Sequence, residues 1–487
     1  MLAPLLLPIF FQSPTKSWEG EVLYHIFVRS YRDSNHDGIG DFKGIEEGIP
    51  SIKKLGATAI LLSPIQKSSV YHNYFADDFF APDPEFGTLD QFKHLVQSAH
   101  KAGLKILLDM EPQYVSSRHP WYERALKGET NLVWSAVPDD PKRASLWYDK
   151  ARVRLTQANL ENLEVRSTIQ KVFLFWSQTG LDGYRIDHMM DNLDNAGKNK
   201  GLFEHFWRPI EDDVIKKFPN TYFLAEQSDW GSTTQVQDIF LQTPTNAAFN
   251  FQLLGAFVTF DKAKIEPVLS NYRTIAPDPH DLVDFLENHD LPRFATTIPD
   301  LAKQKLAVAL LMTVKGIPSI YYGEELGMRG KKGNWNSDGN DIPMRLGYRW
   351  GATLDDPRTP TWYKNTGPWW SNDYSADHDG NSLPEQESNP GSVYNWFRKL
   401  ITIRRASKAL SVGDQTVVAS ENDNLLVFER TSGGESVRIL ANLSSSPITI
   451  STPVSTPHTD LLTGKPLTSR TPLTLGTWQT AILKATS

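Results

Sequence analysis

The sequence predicts an α/β protein built on a closed (β/α)8 barrel. A small subdomain is inserted after the third barrel strand, and an antiparallel β domain follows at the C-terminus. Three observations predict this. Eight short apolar runs recur along the chain: Val22–Val28, Ala59–Leu62, Lys105–Met110, Gly183–Asp187, Tyr222–Glu226, Ala247–Phe251, Leu282–Glu287 and Ile317–Tyr321. Continuous apolar runs are the mark of parallel strands buried on both faces. Between the runs lie stretches of helical period. Leu89–Ala102 is apolar at Leu89, Phe92, Leu95, Val96 and Ala99, and Val165–Gln178 at Ile169, Val172, Phe173 and Trp176, one helical face in each. From about Leu410 the pattern changes to short alternating segments, Asn424–Glu429, Val437–Leu440 and Ile448–Ile450, separated by Ser, Thr, Gly and Pro. Eight β-then-α units point to a barrel, and an open doubly wound sheet is disfavoured because no Gly-rich phosphate loop follows the first run.

The organisation follows from these elements. Residues 20–110 and 163–410 form the barrel, and residues 411–487 form the β domain. Residues 111–162 are polar, rich in Pro, Trp and Arg, and too long for an ordinary βα loop, so they read as the inserted subdomain. Residues 1–19 are an N-terminal tail. Its apolar run Leu2–Phe11 is broken by Pro4 and Pro8 and too short to span a bilayer. The run reads as a secretory remnant, although no Lys or Arg precedes it. The expectation is a secreted or periplasmic protein, with a cytoplasmic one as the alternative.

Composition narrows the function. The 487 residues are 40% hydrophobic and 22% charged, enough apolar material for a large core. Net charge is 50 − 57 = −7, so no global basic field exists to hold nucleic acid or anionic lipid. With no Cys, disulfides, thiolate metal sites and Cys nucleophiles are excluded. The 14 Trp suit flat sugar rings as well as core packing.

The chemistry gathers where barrel strands end. Strand three ends in Asp109, strand four in Tyr184-Arg185-Ile186-Asp187, strand five in Leu224-Ala225-Glu226 and strand seven in Glu287-Asn288-His289-Asp290. Carboxylates set together beside an apolar interior split their pKa values, one ionised and one protonated. Retaining glycoside hydrolysis needs such a pair. Arg185, two residues before Asp187 on one strand, faces the same side and keeps Asp187 ionised. A second signal is Asp33-Ser34-Asn35-His36-Asp37-Gly38-Ile39-Gly40-Asp41. Oxygen side chains at alternate positions with Gly at the sixth can wrap a hard cation, although the twelfth-position Glu of a helix-loop-helix site is missing.

These motifs resemble the α-amylase family of glycoside hydrolases over roughly Gly20 to Leu410. The resemblance rests on Gly183-Tyr184-Arg185-Ile186-Asp187, Ala225-Glu226 and Asn288-His289-Asp290. It rests also on Gln157-Ala158-Asn159-Leu160-Glu161-Asn162, Pro84-Glu85-Phe86-Gly87-Thr88 and Gly316-Ile317-Pro318-Ser319-Ile320-Tyr321-Tyr322-Gly323. It implies Asp187 as nucleophile, Glu226 as general acid/base, and Asp290 holding sugar hydroxyls with Arg185 and His289 in the same subsite. Asp109 would orient the arginine. Tyr74 would stack on the sugar at the cleavage subsite. The cation implied is a structural Ca²⁺, held by Asp33, Asn35, Asp37, Asp41 and the Ile39 carbonyl.

Departures from the family pattern bear on substrate. Gln113 and Tyr114 stand where the family has Asn-His, so one sugar contact is altered. Phe75 stands where exo-acting α-glucosidases carry Asp and endo-acting amylases an aromatic. His188 and Asp191 replace residues that many amylases use on the leaving-group side. The expectation is therefore a monomeric, retaining, endo-acting α-1,4-glucan hydrolase acting on α-glucan or malto-oligosaccharides, with no nucleic-acid partner and no membrane span. The alternatives are an α-glucosidase or transglycosylase such as a trehalose synthase, and a non-catalytic carbohydrate- or partner-binding barrel. Trp335, Trp350, Trp369 and Trp370 read either as packing of the loop after strand eight or as sugar stacking.

Overall fold

The computed structural model describes residues 18–129, 132–134, 155–191 and 201–486. The apolar run Leu2–Phe11 and part of the inserted segment lie outside the described residues. Eight parallel strands close the barrel: β1 (Leu23–Ile26), β2 (Ala59–Leu62), β3 (Lys105–Met110), β4 (Gly183–Met189), β5 (Tyr222–Gln227), β6 (Ala247–Phe249), β7 (Asp281–Phe285) and β8 (Ile317–Tyr321). Each pairs with its neighbour in sequence, and β8 returns to β1, with Leu23 opposite Ser319. All eight predicted runs are strands. Their ends differ where a turn competes: β6 stops at Phe249 because the Asn250 side chain caps the helix Phe251–Phe257, accepting from Leu253 N. β7 stops at Phe285, which leaves Glu287–Asp290 in the loop beyond it.

Alternation along each strand divides the core into two layers. Leu23, Leu61, Leu107, Leu224, Phe249, Val283, Phe285 and Ile317 fill the barrel interior. Trp18 closes its floor, stacked on Tyr222 at 4.4 Å. Tyr24, Ile26, Ile60, Leu62, Ile106, Leu108, Tyr184 and Ile186 belong to the outer layer, packed against the helices. β4 is the exception: its inward positions are Gly183, Arg185 and Asp187. A Cβ at Gly183 would lie 1.9 Å from the Tyr222 carbonyl oxygen, so only glycine lets β4 and β5 meet there.

The helices begin where capping chemistry allows. Phe42–Leu55 is capped by Asp41, whose side chain accepts from Gly44 N, and it ends at Gly56 with φ of 109°. Leu89–Lys101 opens with a reciprocal Thr88–Gln91 capping box, and Leu163–Ser177 with Asn162. Among the described residues no helix is long and apolar enough to cross a membrane.

Two larger sheets flank the barrel, besides a two-stranded one that pairs Ile448–Ile450 with Leu473–Leu475. One has the order Gln66–Ser68, Ala76–Pro82, Tyr114–Ser116, Leu155–Ala158, Val133–Trp134. It joins the loop after β2 to the segment after β3, with Ala76 opposite Val115, and so sets Phe75 beside Tyr114. The other is the predicted C-terminal antiparallel sheet, in the order Asp414–Val417, Leu425–Ser432, Glu435–Asn442, Thr480–Ala485, His458–Asp460, Pro466–Leu467. Buried Arg430 ties it to the barrel by donating to the Thr313 carbonyl at the end of helix Leu301–Thr313, and Arg404 of the barrel helix Val393–Ala406 donates to the carbonyls of Met312, Val314 and Gly316 beside it.

Candidate active site

Strand register assembles the site before any side chain is considered. Asp109 of β3 lies opposite Arg185 of β4, and Leu224 of β5 pairs with the same Arg185. Between β4 and β5 the register then shifts, from Ala225–Ile186 to Gln227–Met189, so Glu226 faces both Asp187 and His188 across a bulge. His188 takes a φ of 47°, a left-handed conformation uncommon outside glycine. This turns its N–H onto Glu226 Oε2 at 3.2 Å.

One guanidinium serves three acids. Arg185 Nη1 donates to Asp109 at 2.8 and 2.7 Å and also to Asp187, while Nη2 lies 2.8 Å from Glu226 Oε2. One positive charge cannot hold three carboxylates ionised in a dry site, so protonation divides among them. Burial opposes ionisation of Asp187, but the Arg185 charge and a hydrogen bond from Glu111 outweigh it, and its carboxyl stays below the ordinary range. Burial dominates at Glu226, and the charge of Asp187 adds to it against Arg185, so Glu226 is held well above the ordinary range. The site thus pairs an ionised Asp187 with a protonated Glu226.

The loop after β7 supplies the opposite wall. His289 Nε2 lies 3.0 Å from Asp290 Oδ2 and 2.6 Å from the Tyr74 hydroxyl. Tyr74 donates to Asp109 at 2.7 Å, and its ring stacks on His289 at 5.2 Å. Arg345, from the long loop after β8, donates to Asp290 Oδ1 at 2.8 Å and to the His289 carbonyl at 2.9 Å. Asp290 loses solvation on burial, yet His289, Arg345 and Arg185 together hold it far below the ordinary carboxylate range. Phe75 and Tyr114 are buried edge to face at 6.2 Å, and His188 lies over Tyr114 at 6.4 Å, an aromatic wall beside the acids.

The structure therefore brings together Asp187, Glu226, Asp290, Arg185, His289, Tyr74, Phe75, Tyr114 and His188. Among the described residues, the one group of three acids or histidines converging within 4.8 Å is Asp109, Asp187 and His289, and Arg185 is bonded to both of its carboxylates. The Asp33–Asp41 loop stands apart, after β1. Asp33 accepts the N–H groups of Asn35, His36 and Gly38, and Asp41 accepts Ser34 N and caps the helix Phe42–Leu55. Trp350 is packing: it is buried against Tyr348 and Tyr31 and donates to the Tyr31 carbonyl.

The comparisons with known proteins agree with this geometry. The description "Alpha amylase, catalytic domain" matches residues 25–413. The chain belongs to the α-amylase family. It is 29% identical over 489 residues to Alpha-amylase 3 of Dictyoglomus thermophilum, covering 96% of this chain and 93% of that one. It is 26% identical over 458 residues to a 4-alpha-glucanotransferase of Thermotoga neapolitana, covering 87% and 95%. Among solved structures, the alpha-amylase from H. orenii superposes with a TM-score of 0.79 at 24% identity over 96% of this chain and 100% of that one, which shows the shared fold. As an α-amylase family member the chain is a glycoside hydrolase family enzyme with a carbohydrate substrate.

Two residues of the site, and the role of a third, are not legible in the sequence. Arg345 lies in an irregular loop far from every strand end, and no local pattern marks it. Glu111 follows β3, two residues after Asp109, and alternation alone could have placed it on the same side. Gln113 was noted as a departure, but its bonds to the Asp187 and His188 carbonyls, at 3.1 and 2.8 Å, depend on the bulge.

Proposed function

We propose that this α-amylase family enzyme is a retaining, endo-acting α-1,4-glucan hydrolase. The observation that carries the reading is Arg185 bridging Asp187 and Glu226, one carboxyl ionised and the other protonated. Asp187 attacks the anomeric carbon while Glu226 gives its proton to the leaving oxygen. The C–O bond breaks with its electron pair on that oxygen. A water then attacks the glycosyl-enzyme ester, Glu226 takes its proton, and Asp187 leaves as carboxylate. Asp290, fixed by Arg345 and His289, accepts hydroxyls of the distorted sugar, and Tyr74 bears on its face. Phe75 supports internal cleavage, because an aromatic there leaves the cleft without the acid that closes an exo-acting pocket.

The test is a time course of products from maltoheptaose and from maltose. Mixed mid-length fragments appearing early, with maltose untouched, are expected. Stepwise glucose release or rearranged maltose would replace this reading with a glucosidase or a transglycosylase.

We infer in addition that Asp33, Asn35, Asp37, Asp41 and the Ile39 carbonyl hold a Ca²⁺. The donor set is all oxygen, and among the described residues no Lys, Arg or His forms an ion pair with Asp33, Asp37 or Asp41, so the loop's negative charge lacks a counter-ion. Asp33 Oδ2 and both Asp37 oxygens accept one donor each and keep a lone pair. The ion would fasten the loop and the helix Phe42–Leu55 to the barrel rather than join the acids.

A further inference from the structure

The acid that the mechanism above leaves unused is Glu111. It sits immediately after β3, buried, with one oxygen accepting Gln113 N at 2.5 Å. The other oxygen, Oε2, is inaccessible and finds no donor among the described residues. The acid that the Glu111 side chain meets is Asp187, close enough for the two carboxyls to share a hydrogen bond. Two carboxylates in contact with no donor between them must share a proton. Asp187 already has the Arg185 guanidinium, whereas no Lys, Arg or His pairs with Glu111 among the described residues. The proton therefore belongs on Glu111.

We propose that Glu111 is a positioning residue that donates a hydrogen bond from its neutral carboxyl to Asp187, holding the nucleophile for attack and stabilising it when it departs. This rests on the reading of Asp187 as nucleophile. Arg185 on β4 and Glu111 just beyond β3 then grip the Asp187 carboxylate, the first as a cation and the second as a neutral donor. A neutral donor orients the carboxylate without adding a second full positive charge that would quench its nucleophilicity. The Glu111 proton stays on Glu111 throughout. It strengthens its hold on Asp187 when the glycosyl ester breaks and the carboxylate regains its charge. The groups facing Glu111 are Asp187 on β4, Asp109 on β3 and the Gln113 N–H. Both acids oppose its ionisation, and burial opposes it more, which keeps Glu111 well above the ordinary carboxylate range. When base removes its proton, two anions face each other beside Arg185 and the grip on Asp187 is lost.

The test separates Glu111 from Glu226 by choice of substrate. Fluoride leaves α-maltosyl fluoride without needing a proton, so Glu226 drops out of the first step and the alkaline limb of kcat/KM reports other groups. Glu111→Gln keeps an N–H donor but cannot ionise, and Glu111→Leu keeps only the volume. With wild type, kcat/KM on the fluoride is expected to fall on the alkaline side. Glu111→Gln should flatten that limb. Glu111→Leu should fall at least tenfold below Glu111→Gln at neutral pH, chiefly in kcat, with the circular dichroism of a folded chain. Wild-type magnitude and wild-type pH profile in both variants would overturn the proposal and leave Glu111 as filling. An Asp187→Asn control measured in parallel distinguishes the two levels. If it turns over, the nucleophile assignment itself falls; if it is inert while both Glu111 variants match wild type, only the role of Glu111 falls.

Discussion

The Gln113 amide donates to the main-chain carbonyl of His188 at 2.8 Å, from the segment after β3 into the bulge at the end of β4. The same nitrogen reaches the Asp187 carbonyl at 3.1 Å, so one side chain braces the backbone that carries the nucleophile. His188 needs that brace, because its φ of 47° is unfavourable for a side chain with a Cβ. Gln113→Ala removes both bonds, and each neutral bond is worth about 1 kcal/mol. The expected result is a fall in kcat of about tenfold or more, because small displacements of a reacting group are costly. Steady-state kinetics on maltoheptaose checks it. An unchanged kcat would mean that the bulge supports itself.

The protonation split at Asp187 and Glu226 sets the pH dependence. Asp187 lies below its ordinary range, so it stays ionised well into acid and activity falls only when it takes up a proton. Glu226 lies well above its ordinary range, so its ionisation is displaced to higher pH and activity on glucans falls as it ionises. A bell whose limbs are set further apart than those of two ordinary carboxyls is expected. Asp187→Asn should lose more than about a thousandfold in kcat with an unchanged melting temperature. Glu226→Gln should lose far more on maltoheptaose than on α-maltosyl fluoride. Equal losses on the two substrates would remove Glu226 as the acid.

The barrel was legible because burial on both faces of a parallel sheet leaves unbroken apolar runs, and the eight runs include Ala59–Leu62, Lys105–Met110 and Ile317–Tyr321 without a shift at either end. Asp187, Glu226 and Asp290 were legible for the related reason that an acid closing such a run stands out. What the sequence hid is contact made by irregular backbone. Arg345 reaches Asp290 from a loop with no periodicity, and the β4 bulge that aims His188 at Glu226 is a register shift between strands about 40 residues apart, which no local pattern encodes. Glu111 is an intermediate case: its position two residues beyond Asp109 was visible, but its partner lies on another strand.

The Asp33–Asp41 loop predicts a metal-linked stability. Its acids accept backbone N–H groups, and among the described residues no cation pairs with them, so an added divalent ion gains their full charge. EDTA is expected to lower the melting temperature, and Ca²⁺ to restore it in excess over Mg²⁺. Asp37→Ala, at the exposed side of the loop, should abolish the Ca²⁺ response with little change in the chelated protein. A transition indifferent to both EDTA and Ca²⁺, with no metal found by elemental analysis, would leave the loop as a plain turn.

A second buried acid, remote from the chemistry, predicts a pH effect on stability alone. Glu211, on the helix Arg208–Lys217, is fully buried with both oxygens accepting from the Thr245 hydroxyl at 2.9 and 3.0 Å. Burial pushes its carboxyl up to about 8, against the bond from Thr245. The folded value is raised above the unfolded one, so Glu211 contributes stability that is fully present below about pH 4.5. That contribution is lost progressively as pH rises to about 8, at about 1.4 kcal/mol per unit. Above that point the folded state must carry a buried charge with one hydroxyl to solvate it. Glu211→Gln keeps the size and cannot ionise. Its melting temperature should therefore change less than that of wild type between pH 5 and pH 9, with the variant the more stable at the alkaline end. Activity measured at pH 6 should be unaffected, since no residue of the site touches Glu211. Parallel melting curves with the same pH slope would show that Glu211 is already charged in the folded protein, with a counter-charge supplied by rearrangement of the helix.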